Sequence, residues 1–116
     1  MVGYYALASA QVEAEDAIER ALKGQPRARA VPAILLARLA VDGGHQGQGV
    51  GKALLKDAML RCLGAAEHIG VRVLLVHAKH DQAKVWYMRY AFEESPTDPL
   101  HLMMLMKDIA AAIQRP

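Results

Sequence analysis

Gln46-Gly47-Gln48-Gly49-Val50-Gly51-Lys52 lies between an apolar run, Ile34 to Val41, and a helix-patterned segment that starts at Lys52. Glycines at 47, 49 and 51 permit a tight turn whose N–H groups converge on one point. A helix N-terminus directly behind adds about half a positive charge. Such a stretch holds a phosphate or pyrophosphate with few side-chain cations. The spacing excludes two common phosphate loops. A Walker loop requires glycine where Gln46 stands and Ser or Thr where Ala53 stands. A dinucleotide fingerprint built on Gly47 and Gly49 requires a third glycine at the position of Lys52. Gln-x-x-Gly-x-Gly remains. The residues by themselves leave it either a phosphate cradle or a ligand-free turn between strand and helix.

Composition narrows the rest. With 116 residues the chain is long enough for one small domain, 1–116, and not for two. Apolar residues make up 53%, enough for a sizeable core. The formal charge of +2 is too mild to indicate nucleic-acid binding by charge alone. A single cysteine, Cys62, forbids an internal disulfide and fits a cytoplasmic protein. No apolar run spans a bilayer, and the N-terminus lacks a signal-peptide pattern.

The pattern along the chain predicts alternating strands and helices. Val2 to Val12 reads as a strand and Glu13 to Lys23 as a short helix. Pro26 and Pro32 bracket a loop, and Ala33 to Val41 reads as a central strand interrupted by Arg38. Lys52 to Ile69 carries an apolar stripe of Leu54, Leu55, Ala58, Met59, Cys62, Leu63, Ala66 and Ile69, and Gly70 stops the helix. Val71 to Ala78 reads as a buried strand. Asp81 is placed to cap a helix over Gln82 to Tyr90. His101 to Met106 reads as a last strand and Lys107 to Gln114 as a short helix, which makes an α/β domain.

Three motifs carry a family resemblance. Gln46 to Lys52, the strand Arg38-Leu39-Ala40-Val41-Asp42 before it, and Ala83-Lys84-Val85-Trp86-Tyr87-Met88-Arg89-Tyr90-Ala91-Phe92 resemble the phosphate loop, splayed strand and A-x-x-[FW]-Y-x-x-x-G-F helix of GNAT acetyltransferases. The resemblance implies a GNAT (acyl-CoA N-acyltransferase) fold: a mixed sheet with flanking helices, lacking the family's first strand and first two helices. It implies acetyl-CoA as co-substrate and no metal. Gln46, Gly47, Gln48, Gly49, Val50, Gly51 and Lys52 would hold the diphosphate. The backbone of Leu39, Ala40 and Val41 would pair with the pantetheine arm beside a bulge, and Ala83 would join the cofactor wall. Tyr87, a core aromatic on composition alone, becomes the general acid that protonates the departing thiolate. Trp86 and Phe92 are assigned to the core. Ala91 departs from the motif, standing where glycine is expected.

Further segments narrow the resemblance. Gly3-Tyr4-Tyr5-Ala6-Leu7, Leu74-Leu75-Val76-His77-Ala78-Lys79, Phe92-Glu93-Glu94-Ser95-Pro96 and Asp98-Pro99-Leu100-His101-Leu102 are similar to the GNAT toxins of type II toxin–antitoxin modules, of the TacT and AtaT type. That resemblance implies transfer of acetyl to the α-amine of aminoacyl-tRNA, a block of translation, a ribbon-helix-helix antitoxin as partner, and a homodimer. The alternatives are acetylation of a protein or small-molecule amine, or a weakly active coenzyme A-binding fragment.

Arg27, Arg29 and Arg38 are the first candidates for RNA contact. Arg72, Lys79, Lys84 and Arg89 are further candidates for a basic surface. Arg38, inside an apolar strand, is expected in a salt bridge or at the cleft. His45 precedes the phosphate loop and is a candidate cofactor contact. The five histidines show no metal-ligand spacing. No general base stands out, and the amine of an aminoacyl ester is already partly neutral near pH 7.

Overall fold

The computed structural model describes residues 3–18, 21, 30–41 and 49–114. Among them the order is β1 (Gly3–Glu13), a 3-10 turn (Ala14–Asp16), β2 (Ala30–Val41), α1 (Val50–Ile69), β3 (Val73–His77), α2 (Asp81–Met88), β4 (Glu93–Glu94), β5 (His101–Leu105) and α3 (Met106–Gln114). The strands form one mixed sheet in the order β1-β2-β3-β5-β4. β2 and β3 run parallel, and the other neighbours are antiparallel. This is the α/β architecture that the pattern predicts.

Both faces of the sheet are covered, which is why β3 and β5 read as unbroken apolar runs. Leu74 and Val76 on β3, with Leu102 and Met104 on β5, point to the side of the three helices, where Leu55, Met59, Tyr87 and Ile109 meet them. Val73, Leu75, Met103 and Leu105 point to the other side, onto Val12, Ala17, Ile18 and Ala21. Within α1 the described part of the expected stripe faces inward, with Leu54 and Leu63 half-buried, and the side chains of Ala66 and Ile69 lie outside what is described. Leu55, Ala58, Met59 and Cys62 are buried, while Lys56, Asp57 and Arg61 face solvent. Each large apolar side chain so buried contributes about 1.5–3 kcal/mol. Burial pushes the Cys62 thiol up to about 11, which leaves it a packing residue.

Several boundaries depart from expectation. β2 starts at Ala30, so Pro32 lies inside it. Pro32 falls just ahead of the first β3 pair, Ala33 with Val73, and there its carbonyl accepts the Arg72 N–H at 2.9 Å. The helix expected over Glu13 to Lys23 is not α-helical at its start, because Glu13 remains in β1 and Ala14–Asp16 form the 3-10 turn. Tertiary ties override the helical pattern here. Ser95 Oγ donates to the Asp16 carbonyl at 2.7 Å, the Thr97 hydroxyl donates to the Asp16 carboxylate, and the Ile18 N–H reaches Met103 Sδ at 3.5 Å. Ala17 and Ile18 are not helical either, Ala21 is helical, and residues 19, 20, 22 and 23 of that expected helix lie outside the described residues. Strand β4 was not expected; it pairs Glu93 with Met103 and Glu94 with Leu102.

His80, not Asp81, caps α2: its Nδ1 accepts the Ala83 N–H at 3.1 Å. Asp81 instead sits in the first turn, where its charge suits the helix dipole. Lys84 pairs with Glu94, so it ties α2 to β4. The helix stop at Gly70 is as expected, with φ +68°. Ala91 occupies the same left-handed region, φ +71°, where alanine costs about 1 kcal/mol relative to glycine. Replacing Ala91→Gly should therefore stabilise the protein by about 1 kcal/mol and raise Tm by about 4 °C in a thermal melt. A lowered Tm would contradict the strain.

Candidate active site

The site begins with an irregularity in β2. Across the β1–β2 pair, Ala6 opposes Arg38 and Leu7 opposes Leu36, so Ala37 is an extra residue, a β-bulge. Its effect is visible in which side chains face the helices. Before the bulge Ile34 and Leu36 do; after it Leu39 does, beside Tyr5 and Leu7 of β1. A regular strand would have carried Arg38 into the helix-side core, at the cost of an unpaired buried charge. The bulge turns Arg38 outward instead, and its side chain is exposed. No salt bridge holds it among the described residues.

The bulge also marks where the sheet opens. β2 and β3 pair from Ala33–Val73 to Leu36–Val76 and no further, while β2 runs on to Val41 paired with β1. From Ala37 to Val41, β2 has no described partner on its β3 side. The opening is a cleft of about 490 Å³. Leu36, Leu39, Ala83 and Tyr87 line it from the helix face, and Tyr4, Arg38 and His77 from the opposite face. The cleft therefore reaches through the plane of the sheet.

Tyr87 is only 8% exposed, held edge-on by Trp86 and Phe92 with ring centroids 5.0 Å and 5.5 Å away. Its hydroxyl has no hydrogen-bond partner among the described residues, yet it is not a sealed-off polar atom. A phenol held this way has a free donor at the cleft. Burial disfavours the phenolate and raises its pKa above 10.0. The expected core roles also hold: Phe92 is buried, and Trp86 packs against the helix-side core.

The start of α1 supplies the second element. Gly49, at φ +79°, precedes the helix, and its carbonyl accepts the Ala53 N–H at 3.1 Å. Gly49 is thus the cap, and the amides of Val50, Gly51 and Lys52 form the open first turn of a 20-residue helix. That turn holds no acidic residue to repel an anion. Gln46, Gly47, Gln48 and His45 lie outside the described residues, as do Arg27 and Arg29. Val41 is placed by its backbone in β2. Ala83 lines the cleft, but its N–H is already committed to His80.

One arrangement escaped the sequence reading. His77 ends β3 and His101 begins β5, and the antiparallel register sets them side by side. Their rings stack at 3.9 Å and 14°. His101 Nε2 lies 3.4 Å from Asp98 Oδ2. Burial, then the neighbouring His101, lowers the His77 pKa, against an opposing pull from Asp98. Only the strand register reveals this pair, because the two residues stand far apart in sequence.

Residues 3–94 match the acetyltransferase (GNAT) domain family. The chain belongs to the GNAT acetyltransferase family. It is 55% identical over 113 residues to a tRNA-acetylating toxin of Mycobacterium tuberculosis, covering 97% of this chain and 67% of that protein. Its structure is similar to that of AtaT complexed with acetyl-methionyl-tRNAfMet, with a TM-score of 0.87, 25% identity, and coverage of 97% of this chain and 67% of that one. It is also similar to an AtaT mutant, tyrosine to phenylalanine, bound to the C-terminus of the antitoxin AtaR and acetyl-CoA. There the TM-score is 0.80 at 26% identity, covering 98% of this chain and 64% of that one. The chain thus spans about two thirds of the length of these relatives. Among the described residues no helix is long and apolar enough to cross a membrane.

A site-resolved titration checks the phenol. With tyrosines labelled at Cζ, the Tyr87 carbon resonance should change above pH 10.0, because burial keeps the neutral form. A midpoint at or below 10.0 would show that the ring is open to water.

Proposed function

We propose that this chain, acting as a single domain, transfers acetyl from acetyl-CoA to a primary amine. The observation that carries this reading is the parting of β2 from β3 after Leu36–Val76, with a buried phenol at the opening. The residues present fit the co-substrate. Its pantetheine arm is an extended chain of amides, and the backbone of Leu39, Ala40 and Val41 offers it an unpaired strand edge. Its diphosphate suits the open amides of Val50, Gly51 and Lys52, joined by Gln46, Gly47, Gln48 and Gly49. Bound acetyl-CoA supplies an acyl thioester. Tyr87 then donates a proton to the departing sulfur, and its raised pKa keeps that proton in place at neutral pH.

The acceptor we infer is the α-amine of an aminoacyl-tRNA, and the outcome is a block of translation in the cytoplasm. Support comes from the relative named for tRNA acetylation and from the AtaT complex with acetyl-methionyl-tRNAfMet. Arg38 stands at the cleft on the face away from the helices, where the phosphates of an acceptor end would pass. Arg27 and Arg29 remain candidates for the same role. The complex of AtaT with an antitoxin segment supports neutralisation by an antitoxin, which we infer is a ribbon-helix-helix protein. A homodimer completes the proposal.

The decisive assay mixes the protein with labelled acetyl-CoA, charged tRNA and a panel of other amines. Label should appear on charged tRNA and disappear after deacylation; label on the other amines only would reject the tRNA assignment. Tyr87→Phe should lower kcat by about 10²–10⁴-fold while calorimetry shows acetyl-CoA affinity within about threefold. Retention of full kcat would remove Tyr87 from the chemistry.

A further inference from the structure

A second cavity, of about 160 Å³, lies on the sheet face opposite the three helices. The end of β1, the 3-10 turn and the start of β5 enclose it. Its polar lining includes Glu13, Asp16, Ser95, His77 and His101. His77 is the single described residue that lines both this cavity and the cleft containing Tyr87. His77 thus borders both openings. Tyr87 reaches the cleft from the helix face, and His77 stands on the other. An acyl group lying between β2 and β3 would have the proton donor on one face and an imidazole on the other.

We propose that the small cavity receives the ammonium end of the acceptor and that His77 takes its proton as the amine attacks. This rests on the acetyl-transfer reading above. Carboxylates at Glu13 and Asp16 favour a cation in the cavity, and Asp16 is held in place by the Thr97 hydroxyl. The balance is simple. The amine nitrogen bonds to the thioester carbonyl carbon as the carbon–sulfur bond breaks. The ammonium first loses one proton to water, which frees the lone pair; as the amine attacks, a second proton passes from the nitrogen to His77, and the Tyr87 proton passes to the sulfur. Solvent then takes a proton from His77 and returns one to Tyr87.

The groups around His77 set its titration. His101 faces it from β5, with Asp98 behind in the β4–β5 loop. Glu13 and Asp16 approach from β1 and its turn, while Arg38, Lys79 and His80 border the cleft side. His77 is exposed at the end of β3; partial desolvation and the His101 ring nonetheless outweigh Asp98, so its pKa is lowered and the ring is a proton acceptor near pH 7.

The test compares wild type with His77→Gln over pH 5 to 9, using charged tRNA and amino-acid methyl esters as acceptors. Wild-type kcat/KM should show an acidic limb below 6.5 from His77, besides the limb of the amine itself. His77→Gln should lose about 10²-fold or more in kcat, keep its acetyl-CoA affinity, and lack the lower limb. His77→Ala should regain part of the loss with added imidazole. Activity of His77→Gln within threefold of wild type, lower limb intact, would overturn the proposal. If substitutions at His77 prevent folding, Asp98→Asn decides. Removing that charge should move the His77 NMR titration and the kinetic limb together to lower pH. A limb that stays while the titration moves would overturn the proposal equally. Transfer to the esters but not to tRNA would reject the tRNA assignment and leave the His77 comparison readable. Transfer to no amine would overturn both.

Discussion

Among the described residues, strand β2 is paired from Arg38 to Val41 on its β1 side only. Backbone amides and carbonyls left open inside a protein cost about 1–3 kcal/mol each when buried and dry. The fold tolerates them because they border a cleft, where water or an extended ligand can meet them. Everything proposed for the site follows from that opening. Closing it would bury the same groups in an ordinary β2–β3 ladder, leave Tyr87 a core aromatic, and give a diphosphate at α1 no path for its acyl arm.

The bulge at Ala37 solves two problems with one residue. It reverses the alternation of β2, so Leu39 rather than Arg38 joins the helix-side core. It also ends regular pairing at the point where β3 stops. On either side the packing is tight. Leu74, Leu102 and Met104 hold the helix face, and Val31, Val73 and Met103 the other. This two-sided core keeps β2 and β3 fixed where they do pair, so the opening is a property of the resting fold. The three described parts of the candidate site, the gap, the phenol and the first turn of α1, are built on one sheet and the helices packed against it.

Much of this was legible in the chain. Helix α1 announced itself by its stripe, and Tyr87 and Gly49 to Lys52 by their motifs. Arg38 in an apolar strand signalled an irregularity, although only the register shows that an extra residue resolves it. What escaped depends on contacts between distant segments. The turn after Glu13 yields its helical pattern to bonds with Ser95, Thr97 and Met103. The cap at His80 escaped because aspartate is the commoner capping residue, and Asp81 stood next to it. The His77–His101 stack needs the β3–β5 pairing to be known first. Local pattern carries the elements and the motifs; pairing between strands decides which side chains share a face.

Residue-resolved amide exchange on Ala37 to Val41 tests the open strand most directly. In the free protein the amides facing β1 should exchange slowly and those facing β3 quickly, and saturating acetyl-CoA should protect the second group. Fast exchange that acetyl-CoA leaves unchanged would contradict the account, as would protection of both groups in the free protein.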